Sequence, residues 1–95
     1  MACVYILYSE DIDTYYIGSC LDFKARMNDH LQKKRESFTS RVNDWIVYFK
    51  MEDLEYEQSR LIEGHIKKVK SRIYIENLMK YPEICIKLLA LYPKQ

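Results

Sequence analysis

The sequence predicts an α+β domain: a small three-stranded antiparallel sheet flanked by helices, in the order ββαβααα. Three observations carry this. Two runs rich in β-branched and aromatic residues, "ACVYILY" and "YYIGS", lie close together at the N-terminus. A third, "WIVYFKM", stands in mid-chain. Between and after them the apolar residues recur at helical spacing.

Ala2 to Tyr8 reads as the first strand and Tyr15 to Ser19 as the second, with polar "SEDIDT" between them as a hairpin connection. From Asp22 the period changes. Phe23, Met27 and Leu31 recur every four residues, so a helix starts there with Asp22 as its N-cap. Lys33 to Asn43 is polar and reads as a loop, and Trp45 to Met51 as the third strand. Leu54, Gln58, Leu61, Ile62, His65, Ile66 and Val69 mark a second helix, with Asp53 as its expected cap. Ser71 is placed to cap a third helix reaching Lys80, and Pro82 suits the first turn of a fourth, which Pro93 closes.

Ninety-five residues suit one domain spanning 1–95, with a core over about 2–80 and a C-terminal helix over about 82–92. A composition of 48% hydrophobic and 31% charged residues predicts a packed core rather than disorder. The net charge of +1 means that any contact with nucleic acid rests on a local patch, not on bulk charge. Cys3, Cys20 and Cys85 show no zinc spacing and are expected to be free thiols in a reducing compartment. No apolar run reaches membrane-spanning length, and the N-terminal run lacks the basic flank of a secretory signal; the chain is expected to be cytoplasmic.

Side chains alternate along a strand, so Cys3, Tyr5 and Leu7 share one face. A turn centred on Glu10 and Asp11 sets Tyr5 opposite Tyr16. A register shift of two keeps both phenols on one side of the sheet, whereas a shift of one separates them. Gly18 either ends the second strand, or permits a bulge, a positive φ or a close approach that clears space for a ligand beside Tyr16. Arg26 and His30 lie four apart, on one helical stripe bordering the apolar face. Arginine offers a planar fork for phosphate and histidine a proton that can be held or moved.

"VYILYS", "YYIGS" and "LDFKARMNDHL", in that order, resemble the GIY-YIG nuclease superfamily. The likeness is to its small single-domain bacterial members, whose domain is similar to the N-terminal nuclease domain of the excision-repair incision subunit. Tyr5 matches the tyrosine of the first motif, with Cys3 and Val4 in place of glycine and isoleucine. Tyr16-Ile17-Gly18 matches the second motif unchanged. Arg26 and His30 match the arginine and histidine. "EGHIKKVKSRIYIENL" resembles the family's metal-binding helix, which makes Glu63 the metal ligand.

The resemblance implies an endonuclease that hydrolyses DNA phosphodiesters with Mg²⁺ or Mn²⁺, in a setting such as DNA repair. Arg26 would hold the scissile phosphate, Glu63 the cation, and Tyr5 or Tyr16, with Tyr16 favoured, would take the proton of the attacking water. His30 would hydrogen-bond a tyrosine or help the proton leave. A phenol near 10 is a poor base at neutral pH, so that role requires activation. One carboxylate suits Mg²⁺, an oxygen-seeking cation that keeps several waters. Gly64, odd in mid-helix, would be explained by a close backbone approach or by room for those waters.

Beyond Cys3 and Val4, the sequence departs from the family in three further places: Ser19 stands where a lysine is often found, His65 where close relatives carry a second glutamate, and Asn77 is no secure match for the asparagine that closes some family sites. Lys33, Lys34 and Arg35 follow the first helix; Lys67, Lys68, Lys70 and Arg72 follow the second and are the expected nucleic-acid contacts, although cations also suit helix C-termini. Acidic "EDLEYE" is expected to face away from phosphate. The alternative to an enzyme is an inactive nucleic-acid-binding or protein-interaction module on the same fold. A lone catalytic domain also leaves room for a protein partner that supplies specificity.

Overall fold

The structure, a computed structural model, describes residues 1–32 and 44–94. Its elements are β1 (Ala2–Ser9), β2 (Thr14–Cys20), α1 (Phe23–Gln32), β3 (Ile46–Leu54), α2 (Tyr56–Val69), α3 (Arg72–Lys80) and α4 (Pro82–Leu91), which is the predicted order. The loop expected over Lys33 to Asn43 lies outside the described residues.

The sheet is antiparallel with strand order β2-β1-β3, so among the described residues β1 is central and β2 is an edge strand. Both faces of β1 are covered. Ala2, Val4 and Ile6 join Ile62, Ile66, Ile75, Leu78 and Leu88 in a core beneath α2, α3 and α4. Cys3, Tyr5, Leu7 and Cys20 form a second cluster on the other face, packed against Tyr16, Phe23, Met27 and Trp45. The continuous apolar run of β1 follows from this burial on two sides.

The hairpin register differs from expectation by two residues. Tyr5 pairs with Gly18, and Tyr16 with Leu7. The strands run on to Ser9 and Thr14, and the turn closes through Asp13 at φ 48, whose N–H donates to the Glu10 carbonyl. A shift of two preserves the face, so Tyr5 and Tyr16 still lie together.

Asp22 caps α1: its Oδ1 accepts from the Ala25 N–H at 3.1 Å. Ser71 caps α3 in the same way, accepting from the Tyr74 N–H at 3.2 Å, and Pro82 stands in the first turn of α4. The cap of α2 is Glu55, not Asp53. Glu55 and Gln58 form a reciprocal capping box. β3 extends past Met51 to bury Leu54, which delays the helix by two residues and leaves Asp53 inside the strand at φ 60. No described helix is long and apolar enough to cross a membrane.

Candidate active site

Tyr5 starts from the central strand and is fully buried. Its phenol lies across Gly18 on the edge strand: a Cβ built on Gly18 would meet Cζ and Oη of Tyr5 at 2.6 Å. Gly18 has no positive φ, and neither glycine of the chain has one. Its role is therefore steric. The missing side chain is a slot through which the Tyr5 hydroxyl passes over β2. The space beside Gly18 belongs to Tyr5, not to a ligand.

Past that slot the Tyr5 hydroxyl lies within the electrostatic reach of the Arg26 guanidinium. Burial pushes the phenol well above its ordinary range and the neighbouring Tyr16 pushes it further, while Arg26 opposes both. Phe23, one helical turn before Arg26, stands edge-on to the Tyr5 ring at 5.7 Å between centroids and fixes α1 over this part of the sheet. Tyr16 is half-buried, its ring 6.5 Å from that of Tyr5 and 6.4 Å from Trp45. α1 includes position 30, one turn beyond Arg26; the side chain of His30 lies outside the described part.

Arg26 is also half-buried, and it lines a recess of about 360 Å³ at the end of β2. Ser19 and Cys20 at the end of β2, and Tyr56 and Arg60 of α2, line it as well. Sequence reasoning missed Tyr56 and Arg60. The signal was present: 56 and 60 share one helical stripe with Glu63, the candidate metal ligand.

Glu63 reaches the same edge from the other face of the sheet. Its side chain is 13% exposed. Oε1 accepts a hydrogen bond from the Ser19 hydroxyl, and Oε2 pairs with Lys67 Nζ at 2.6 Å. Tyr16 and Gly18 point to one face of β2, Ser19 to the other, so the edge strand joins the tyrosines and Arg26 to Glu63. A divalent cation fits this carboxylate: it is partly buried, its near neighbour is a hydroxyl oxygen, and a hard cation that keeps its waters needs few protein ligands.

The other predicted groups are placed separately. Lys67 is engaged by Glu63, and Arg72 pairs with Asp13 and, at 3.7 Å, with Glu76 while lying over the Tyr15 ring at 5.2 Å. Lys68 and Lys70 are exposed. Lys33, Lys34 and Arg35 lie outside the described residues. His65 hydrogen-bonds Tyr92 at 3.0 Å through Nδ1 and has a structural partner. Gly64 is exposed, and a Cβ there would meet nothing within 4 Å, so no close backbone approach by the described residues explains it. The Cys3 and Cys20 sulfurs are 3.6 Å apart and buried; burial and the Cys20 contact push the Cys3 thiol up to about 12, which keeps it protonated. Among the described residues no three of His, Cys, Asp and Glu cluster as a metal site.

These features define an α+β fold with polar groups gathered at one sheet edge. Residues 1–82 match the family model described as the GIY-YIG catalytic domain. The chain belongs to this family, whose members are in general divalent-metal-dependent endonucleases acting on nucleic acid. The comparisons with curated proteins and with solved structures returned no match.

Proposed function

We propose that this protein is a DNA endonuclease dependent on Mg²⁺ or Mn²⁺, with Tyr5, Tyr16, Arg26, His30 and Glu63 as its catalytic set and Gly18 as the residue that admits Tyr5. One observation carries the reading: Arg26 both acts electrostatically on the Tyr5 hydroxyl and lines the same recess as Ser19, whose hydroxyl bonds Glu63. The four residues in that argument come from four elements, and packing alone requires no such convergence of polar groups.

Arg26 binds the scissile phosphate and offsets the charge that grows in the transition state. Tyr16 is the general base toward the attacking water; Tyr5 is closed to water and positions Arg26 instead. The water oxygen bonds to phosphorus as the bond to the leaving sugar oxygen breaks, and His30 supplies a proton to that oxygen or orients a tyrosine. Glu63 holds the cation, which supplies Lewis acidity when bound. Lys67, Lys68, Lys70 and Arg72 are the proposed contacts to the flanking backbone, and the domain acts in the cytoplasm with DNA repair as its setting and a protein partner as a source of specificity.

A binding-only module is the second reading, favoured by one feature: Lys67 already neutralises Glu63. Glu63→Gln separates the two. Cleavage of supercoiled, single-stranded and branched DNA with Mg²⁺ or Mn²⁺, each with a chelator control, should collapse in the variant while binding persists or tightens. A parent that never cuts with either cation would overturn the enzyme reading. A variant that cuts as well as the parent would remove Glu63 from the site.

A further inference from the structure

The recess between α1 and α2 holds two groups that the catalytic set does not use. Arg60 is exposed and forms no ion pair among the described residues, yet it faces the same recess as Arg26. Tyr56 is 48% exposed, stacks on no other described ring and also lines the recess. The one carboxylate there, Asp22, is occupied as the α1 cap, accepting from the Ala25 N–H.

Tyr56, Arg60 and Glu63 follow one another along one stripe of α2. At about 1.5 Å per residue, Tyr56 lies about 10 Å along the axis from Glu63, with Arg60 between them. Resting on the nuclease reading, we infer that this recess is a subsite for the nucleotide next to the cut. Arg60 and Arg26 grip its phosphate, and Tyr56 stacks on its base. A base inside a duplex has neighbours on both faces and offers no face to Tyr56. The substrate class is therefore a strand with an unpaired nucleotide beside the scissile phosphate, such as a flap, a branch point or a free single strand. Arginine suits the phosphate because its fork is planar and bidentate, and an aromatic ring suits any base because stacking tolerates sequence.

Binding is measured in chelator, where cleavage cannot interfere, by fluorescence anisotropy with a labelled mixed-sequence single strand and with the same strand fully paired. The single strand should bind more tightly. Tyr56→Leu should lose about five-fold or more on the single strand and little on the duplex, whereas Tyr56→Phe keeps the ring and should bind as the parent does. Arg60→Gln should weaken both probes and flatten the salt dependence by about one phosphate contact, and Arg60→Lys should restore much of the loss. Thermal melting of each variant checks that the fold is intact. Equal binding of both probes, with Tyr56→Leu indifferent on each, would overturn the inference even if the parent cuts DNA. A parent that binds as described but never cuts would overturn the nuclease reading and leave the strand subsite standing.

Discussion

The two glycines should respond to the same substitution with opposite signs. At Gly18 an added methyl meets Cζ and Oη of Tyr5 at 2.6 Å, about 0.8 Å inside the 3.4 Å where ordinary contact begins. The Tyr5 ring cannot yield. It is fully buried and hemmed by Phe23 on one side and Tyr16 on another. Overpacking of this kind costs about 1–3 kcal/mol. Removing a glycine from a strand returns roughly 0.5–1 kcal/mol of backbone entropy, so Gly18→Ala should lose about 1–2 kcal/mol. For a domain of this size that is a fall in Tm of roughly 4–15 °C. Gly64→Ala meets open space in mid-helix and should instead gain about 0.5–1 kcal/mol. Thermal melts followed by far-UV circular dichroism, backed by urea titration, read both. The control is Gly18→Ala in a Tyr5→Leu background, where the clash has no partner and the penalty should shrink to near zero. A Gly18→Ala protein that melts at or above the parent would show that the slot does not hold Tyr5.

Three further outcomes follow from the same contacts. Tyr5 has its folded pKa raised, by burial first, so its contribution to stability is complete below the unfolded phenol value near 10 and is lost as pH rises beyond it; urea midpoints should fall above about pH 10, and Tyr5→Phe should lessen that fall, Tyr15, pushed up to about 12, accounting for part of what remains. Arg26→Lys keeps a charge and a donor toward Tyr5 but loses the fork, so turnover should drop at least about ten-fold with Tm nearly unchanged; full activity would make Arg26 an ordinary surface residue. Lys67→Met removes the ammonium that competes for Glu63, so Mn²⁺ should bind more tightly by calorimetry while stability shifts by only about 0.5 kcal/mol, the scale of an exposed helix pair; unchanged or weaker Mn²⁺ binding would show that Lys67 does not compete.

Element order was legible because each element carries a local signal: alternation in the strands, a four-residue recurrence in α1, and capping residues at Asp22, Ser71 and Pro82. The pairing of the tyrosines on one face was legible for a different reason, since only the parity of the register matters and the turn could be wrong by two residues without harm. What failed was what depends on tertiary packing. Asp53 looked like a cap until the burial of Leu54 carried β3 past it. At Gly18 the sequence allowed a close approach but gave the space to a ligand beside Tyr16, whereas the register sets the Tyr5 ring there. Arg60 and Tyr56 share a helical stripe with Glu63, but that they face Arg26 depends on the proximity of α1, which no local pattern encodes.

The order of residues 16 to 19 makes sense as a property of an edge strand. Alternation sends Tyr16 and Gly18 to the α1 face, and Ile17 and Ser19 to the α2 face. Ile17 packs against the larger core and holds the strand down, which lets its neighbours be polar, small or half-exposed. In a central strand the two faces would stay separated by the flanking strands, and a group on one could not meet a group on the other. At an edge strand they meet around the rim: Tyr5 crosses Gly18 to reach Arg26, while Ser19 turns the opposite way to bond Glu63. A lysine at position 19 would bring a positive charge toward Glu63 from the strand. Serine brings a neutral hydroxyl, and the charge opposite Glu63 comes from Lys67 on the helix itself. The departure at Ser19 thus leaves the carboxylate neutralised, but by a group half exposed on α2 that can swing away into water.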